Sequence, residues 1–243
     1  MKHPPSIPAV LLFLLLLAGR SAAAPADMYI VFFVTQNGTT GHVGIAIDNY
    51  DIRIRDTWKN GKLITLEDTV TNGTLTFFDL WPQKDIKIGD FHKNTAPQYF
   101  RLPRSSSEDK ITVESILYKG LPHRYRKPCD GLLRIRTTSA DDFKLAAFID
   151  SLPLKQTAYN ARHFNCADFV IVCLQQHFGY LIKAKEFIPM GWVSTPNRLY
   201  RRSCERLPVE VLRDPGPKVK RSFFKERVLK KYFSNKHSDN END

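Results

Sequence analysis

The feature that most constrains this chain is a short run near its start. Met28–Thr35 (MYIVFFVT) is unbroken apolar and β-type sequence. A run of that length without helical spacing reads as a buried strand. Strand-like segments follow at close intervals. Gln36–Gly41 holds Asn-Gly and Thr-Thr-Gly turn signals, and His42–Ile47 (HVGIAI) is a second strand. Asp48–Asp51 is expected to turn the chain into Ile52–Trp58, which alternates like a half-exposed strand. Lys59-Asn60-Gly61 is another turn, with further strands expected at Leu63–Leu66, Leu75–Phe78 and Phe100–Leu102.

Helical signals come later. Ser105–Ser107 is expected to open a helix over Glu108–Lys119. After a strand at Leu132–Thr137, Ser139 is expected to cap Ala140–Ser151, with Pro153 ending that helix. Asn165 caps Cys166–Phe178 and Gly179 stops it; Asp168, three residues after the cap, makes a variant capping box. Strands clustered early and the main helix late predict an α+β domain.

Residues 1–26 stand apart. Lys2 and His3 precede an apolar stretch, Val10–Ala18, that is too short to span a bilayer, and Ser21–Ala26 is small-residue sequence. This is the pattern of a signal peptide, with cleavage expected after Ala26, so the protein is expected to be exported, secreted or periplasmic. The net charge of +11 is unevenly spread. Arg198–His237 carries 13 basic and 4 acidic residues, whereas residues 27–197 carry 21 and 18. The basicity belongs to the C-terminal segment, where Val219, Phe223, Val228, Leu229, Tyr232 and Phe233 recur at roughly helical spacing. Residues 218–236 thus read as a basic helix, either touching an anionic membrane surface or packed on the domain with its basic face in water. No nucleic-acid motif accompanies the charge, so no nucleic-acid partner is expected. The expected organisation is a signal peptide (1–26), one domain (27–207) and a basic tail (208–243).

The densest chemistry lies in Tyr159–Phe169 (YNARHFNCADF). It puts Cys166 in the first turn of a helix, where unpaired amides and the dipole favour a thiolate, the nucleophilic form. Those amides are also oriented to bind an oxyanion. Against this, most buried cysteines are inert, and Cys173 reads that way. Among the seven histidines, His177 lies at the far end of the same helix, while His92 and His123 sit in polar stretches. The orientation of His163 is not readable. His42 opens an apolar strand, and in strand alternation it shares a face with Gly44 and Ala46, which leaves room for a helix N-terminus. If Asp48–Asp51 turns a hairpin, Asp56 comes opposite His42 as the group that orients the imidazole, with Thr57 second and Asp79 a weaker third. Four cysteines without a CxxC pair argue against a zinc ribbon. His163 and Cys166 alone make a poor metal site, so neither metal nor cofactor is expected. If a disulfide forms, Cys129 with Cys204 is the pair that leaves Cys166 free.

His-Val-Gly-Ile (42–45) near the start and Asn-Cys-Ala-Asp-Phe (165–169) on a late helix resemble the circularly permuted branch of NlpC-type papain-like hydrolases. That branch includes the YiiX-like and lecithin:retinol acyltransferase-like proteins. Histidine preceding cysteine matches the permuted order, and Ser194-Thr195-Pro196 is similar to a Ser/Thr-Pro segment of bacterial members. The resemblance covers roughly residues 28–200, with an unmatched stretch near 80–130. It implies a small antiparallel sheet packed against the cysteine helix. It also implies Cys166 as nucleophile, His42 as base and Asp56 as third residue. Tyr159 is placed near the oxyanion site by position alone, and Asn165 supports the helix cap.

The expected activity is that of a thiol peptidase or amidase working through an acyl-enzyme. Its substrate would be a peptide, a peptidoglycan fragment or another acyl compound, with cell-wall peptides favoured by export. Acyl transfer or lipid-ester cleavage by the same dyad is an alternative, and a non-catalytic envelope-binding protein is another. The last requires Cys166 and His42 too far apart to hydrogen-bond.

Overall fold

The computed structural model describes residues 24–34, 41–84, 86, 90–122, 127–179, 182–188 and 191–220. Its elements mix strands and helices as an α+β arrangement. The strands are β1 (Pro25–Phe33), β2 (His42–Lys59), β3 (Lys62–Pro82), β4 (Pro97–Leu102), β5 (Gly131–Thr138), β6 (Lys185–Ile188), β7 (Gly191–Ser194) and β8 (Val209–Arg213). The helices are α1 (Ser139–Lys155), α2 (Cys166–Phe178) and α3 (Pro196–Arg206). One antiparallel sheet runs in the order β4-β3-β2-β1-β5-β8, and β6 and β7 form a separate hairpin.

The apolar run at 28–34 is buried on both faces of β1, which is why it lacks the polar alternation of a half-exposed strand. Met28, Ile30 and Phe32 join Val43, Ile45 and Ile47 of β2 in a core with Leu145 and Ile149 of α1 and Ala167, Phe169 and Val170 of α2. Tyr29, Val31 and Phe33 point the other way, into a second core with Ala46, Phe77, Leu102, Ile111, Ile116 and Cys129. Helices thus cover one face of the sheet, and the connection between β4 and β5 covers the other.

Several expectations are corrected. Asp48–Asp51 does not turn the chain. The register shifts between Asp48 and Tyr50, and β2 continues to Lys59 as a single strand. The reversal comes at Asn60-Gly61, whose φ angles of 53° and 74° suit a two-residue hairpin turn. The two expected strands at 63–66 and 75–78 are parts of one strand, β3. Glu108–Lys119 is not a helix throughout, since helical structure is confined to residues 113–119, with Ser115–Lys119 π-helical. Thr138, not Ser139, caps α1, because the Ser139 hydroxyl accepts from the Ala24 amide at 3.1 Å. Pro153 lies inside α1 and does not end it.

The boundary expected at 207/208 also moves. Val209–Arg213 pairs with β5, so the body includes β8. The basic segment expected to be helical lies almost wholly outside the described residues, as does His123. Pro25 and Ala26 pair with Thr138 and Thr137, so a cut after Ala26 would remove two rungs of β1. All four cysteines are free thiols, so the pair named for a possible disulfide, Cys129 and Cys204, is unbridged. Cys129 is buried in the second core, whereas Cys204 is exposed on α3.

Candidate active site

Local sequence builds the cysteine end of the site. The Asn165 side chain accepts from the amides of Ala167 (2.8 Å) and Asp168 (3.3 Å), and the Asp168 carboxylate accepts from the Asn165 amide at 3.2 Å. This reciprocal capping box starts α2 at Cys166, and Gly179 ends it in the left-handed conformation. The cap is itself anchored. Asn165 Nδ2 donates to the carbonyls of Ala161 and Ser194, and Ser194 Oγ donates to Asp168 Oδ1 at 2.5 Å. The Ser194-Thr195-Pro196 segment therefore braces the start of α2. Thr195 in turn caps α3, accepting from the Arg198 amide. Burial raises the Asp168 carboxyl above its ordinary value, while the bonds from Ser194 and Asn165 work against that rise.

His42 is the first residue of β2 and is 2% exposed. Its Nε2 lies 2.9 Å from Asp79 Oδ2, and its ring is coupled electrostatically to Cys166. The same carboxylate oxygen accepts from Trp81 Nε1 at 2.7 Å, and the Trp81 ring stacks on the imidazole at 4.0 Å between centroids. Burial pushes the His42 imidazole down. The charge of Cys166, the bonds to Asp79 and Cys166, and the charge of Asp79 outweigh it and lift the group from 6.5 to about 9. The partners of the buried ring thus favour its imidazolium form.

Register explains which carboxylate meets His42. Ile45 pairs with Phe78, and continuing that antiparallel ladder puts His42 opposite Trp81, with Asp79 two residues away on the same face. Asp56 does not join them. Because β2 runs straight through the expected turn, Asp56 lies fourteen positions farther along the strand, about 45 Å away at 3.3 Å per residue. There it is exposed and accepts from Thr65 Oγ1 at 2.6 Å. Thr57 travels with it, paired to Ile64.

The space expected beside His42 is also filled. A Cβ on Gly44 would stand 2.4 Å from the Phe77 ring. The helix N-terminus does not occupy that face, since α2 packs on the side of Val43 and Ile45. The His42–Cys166 contact forms where β2 begins. Tyr159 is buried in the same apolar cluster as Cys166, and its backbone pairs with Thr95. His163 and His92 are exposed.

Trp81 and Ser194 were not singled out as site residues by sequence. A signal for the first exists: a lone carboxylate within Phe77-Phe78-Asp79-Leu80-Trp81 must find donors if the strand is buried, and Trp81 is on its face. Of the amides at the α2 terminus, Asn165 engages Ala167 and Asp168, which leaves the Cys166 N–H as the amide beside the sulfur that the cap does not use. Among the described residues no cluster of three or more His, Cys, Asp or Glu side chains is arranged to hold a metal, and no helix is long and apolar enough to cross a membrane. No protein-family model, curated protein or solved structure matches this chain.

Proposed function

We propose that the protein is an exported thiol hydrolase that cleaves an amide or peptide bond through a Cys166 acyl-enzyme. The observation that carries this reading is the His42 ring, buried, hydrogen-bonded to Asp79 and coupled electrostatically to Cys166 at a helix N-terminus. Asp79 takes Nε2, which leaves Nδ1 to face the thiol. His42 holds the proton that the leaving group will take, and the Cys166 sulfur is the nucleophile. The sulfur attacks the carbonyl carbon, and the Cys166 N–H binds the developing oxyanion. His42 then gives its proton to the leaving amine as the C–N bond breaks. In the second half, His42 takes a proton from water as its oxygen attacks the thioester; the C–S bond breaks, the acid leaves, and the sulfur is restored beside a protonated His42. Asp79 and Trp81 hold the ring's tautomer and plane, as a positioning pair.

The strand-before-helix order supports a permuted papain-like fold for this domain. The leader at residues 1–26 supports export and, with it, an envelope or cell-wall peptide as substrate. Acyl transfer or lipid-ester cleavage by the same groups is the second reading. It is favoured by Phe187 and Trp192, an edge-to-face pair 67% and 60% exposed on the β6–β7 hairpin. That hairpin ends at Ser194, which touches the cap of the cysteine helix, so an apolar surface borders the site.

The test is alkylation of Cys166 by iodoacetamide across pH, with and without His42→Ala. Reaction well below the usual thiol range of about 8.5, shifted upward by the substitution, supports the dyad. Cys166→Ala should abolish turnover of peptidoglycan fragments or short acyl esters in a folded protein, and undiminished turnover in that variant sinks the proposal. A product carrying a non-water acceptor would select the transferase reading.

A further inference from the structure

Beyond the rungs shared with β1 and β4 and the Leu75–Ile111 bridge, strands β2 and β3 pair only with each other among the described residues. The β1 ladder ends at Met28–Ile47, the β4 ladder ends at Phe77–Leu102, and the two strands run on from Tyr50–Thr71 to Lys59–Lys62. Ten rungs at about 3.3 Å make a ribbon roughly 30 Å long. Its two faces differ. Ile52, Ile54, Trp58 and Leu63 share one face, by alternation along β2 and by the Trp58–Leu63 pairing, and are 69%, 69%, 72% and 56% exposed. Arg53, Arg55, Lys59 and Lys62 lie on the other face and at the turn. Over the whole ribbon these four cations meet four carboxylates, Asp51, Asp56, Glu67 and Asp68, and Arg55 is paired with Asp68 at 2.8 Å, so the positive excess is confined to Lys59 and Lys62 at the tip.

A two-stranded ribbon is marginal by itself in water, and a row of large apolar side chains on its surface marks an interaction site. We infer that the tip of this ribbon docks on an anionic lipid membrane surface. Trp58 and Leu63 flank the turn and insert at the headgroup boundary, where an indole is favoured. Lys59 and Lys62, adjacent to them in sequence, meet the phosphate layer. Apolar and cationic groups at one tip are the combination such a surface recognises. A second copy suits the tip less well, because two tips of the same positive charge repel. Penetration stops at the tip. The ribbon's outer edges carry backbone amides and carbonyls that cannot be left unpaired in hydrocarbon, so Ile52 and Ile54 lie along the boundary. This element is separate from the cysteine site, so the inference does not depend on the proposed activity.

The test is co-sedimentation of the purified protein with phosphatidylcholine vesicles, with and without phosphatidylserine. All chosen positions are exposed, and circular dichroism confirms that each variant is folded. Trp58→Ser with Leu63→Ser should weaken partitioning at least about tenfold. Lys59→Glu with Lys62→Glu should weaken it by a similar factor on phosphatidylserine vesicles only. Brominated lipid should quench tryptophan emission in the wild type, and Trp58→Phe should remove that quenching although Trp81 and Trp192 remain. Unchanged partitioning in both double variants, or quenching that survives Trp58→Phe, overturns the inference. So does a dimer in sedimentation equilibrium that Trp58→Ser/Leu63→Ser dissociates while vesicle binding is unchanged, since the ribbon would then be a self-association surface.

Discussion

Replacing Asp79 by Asn tests the candidate site at its most buried member, which is 0% exposed. The substitution keeps the shape and leaves an oxygen to accept from His42 and Trp81, but removes the charge. Burial alone would hold the His42 imidazole below 6.5, yet it stands at about 9. That net rise corresponds to about 3 kcal/mol in favour of the imidazolium, and the partners supply more than this because they also offset burial. Asp79 contributes both a hydrogen bond and a charge, alongside the same two contributions from Cys166. Loss of the charge and of the charge-assisted part of the bond should lower the His42 pKa by about 1–2 units. The assay is the NMR titration of the His42 Cε1–H, in parallel with the rate of Cys166 alkylation at pH 7. That rate should fall about 10- to 100-fold if the imidazolium holds the thiolate. Cys204 is exposed and also reacts, so the modified peptide must be mapped or the comparison made in a Cys204→Ser background. A His42 titration in Asp79→Asn within about half a unit of the wild type would refute the assignment of Asp79 as its partner.

Other consequences are as direct. Gly44→Ala places a methyl group against the Phe77 ring at 2.4 Å, and should cost about 1–3 kcal/mol in urea unfolding by displacing a ring of the second core. Asn165→Ala removes the cap of α2 together with donors to two carbonyls. It should cost about 1–3 kcal/mol and slow Cys166 alkylation, and a variant with wild-type stability would refute the anchoring role of this cap. Asp142, buried beneath Tyr50 and Thr137, has its carboxyl raised from 3.8 to about 6, mainly by burial. A raised carboxyl contributes stability that is complete below its unfolded value and is lost as pH rises through the folded one. Unfolding free energy should therefore fall by up to about 3 kcal/mol between pH 4 and pH 7, and Asp142→Asn should flatten that decline. Parallel pH profiles for the two proteins would count against the assignment.

Features specified within a few neighbouring residues were legible in advance. Helix α2 runs over the expected residues, because Asn165, Asp168 and Gly179 are local stop and start groups that act on adjacent amides and carbonyls. The buried strand at 28–33 and the Asn60-Gly61 reversal were legible for the same reason. Where local signals compete, the reading failed. Asp48-Asn49-Tyr50-Asp51 looks like a turn, but the Asn49 side chain bonds to Thr74 and Thr76 across the ladder and the strand passes through with an irregularity. Ser139 looked like a cap, but its hydroxyl was already committed to Ala24, more than a hundred residues earlier in the chain.

The third member of the candidate site shows the same division. The composition of Phe77–Trp81 announces a carboxylate in need of donors, and His42 announces a ring in need of an acceptor. Nothing local joins them, since they stand 37 positions apart in the chain. Their meeting depends on the length of the β2–β3 hairpin, which decides whether Asp56 or Asp79 returns to the level of His42. The sequence by itself determined the cysteine at a capped helix start, the histidine at a strand start and the α+β order of elements, because each rests on short-range geometry. Tertiary structure alone decided the partner of His42, the stacking of Trp81, the bracing of the cap by Ser194 and the exposed ribbon, because strand register couples residues far apart in the chain.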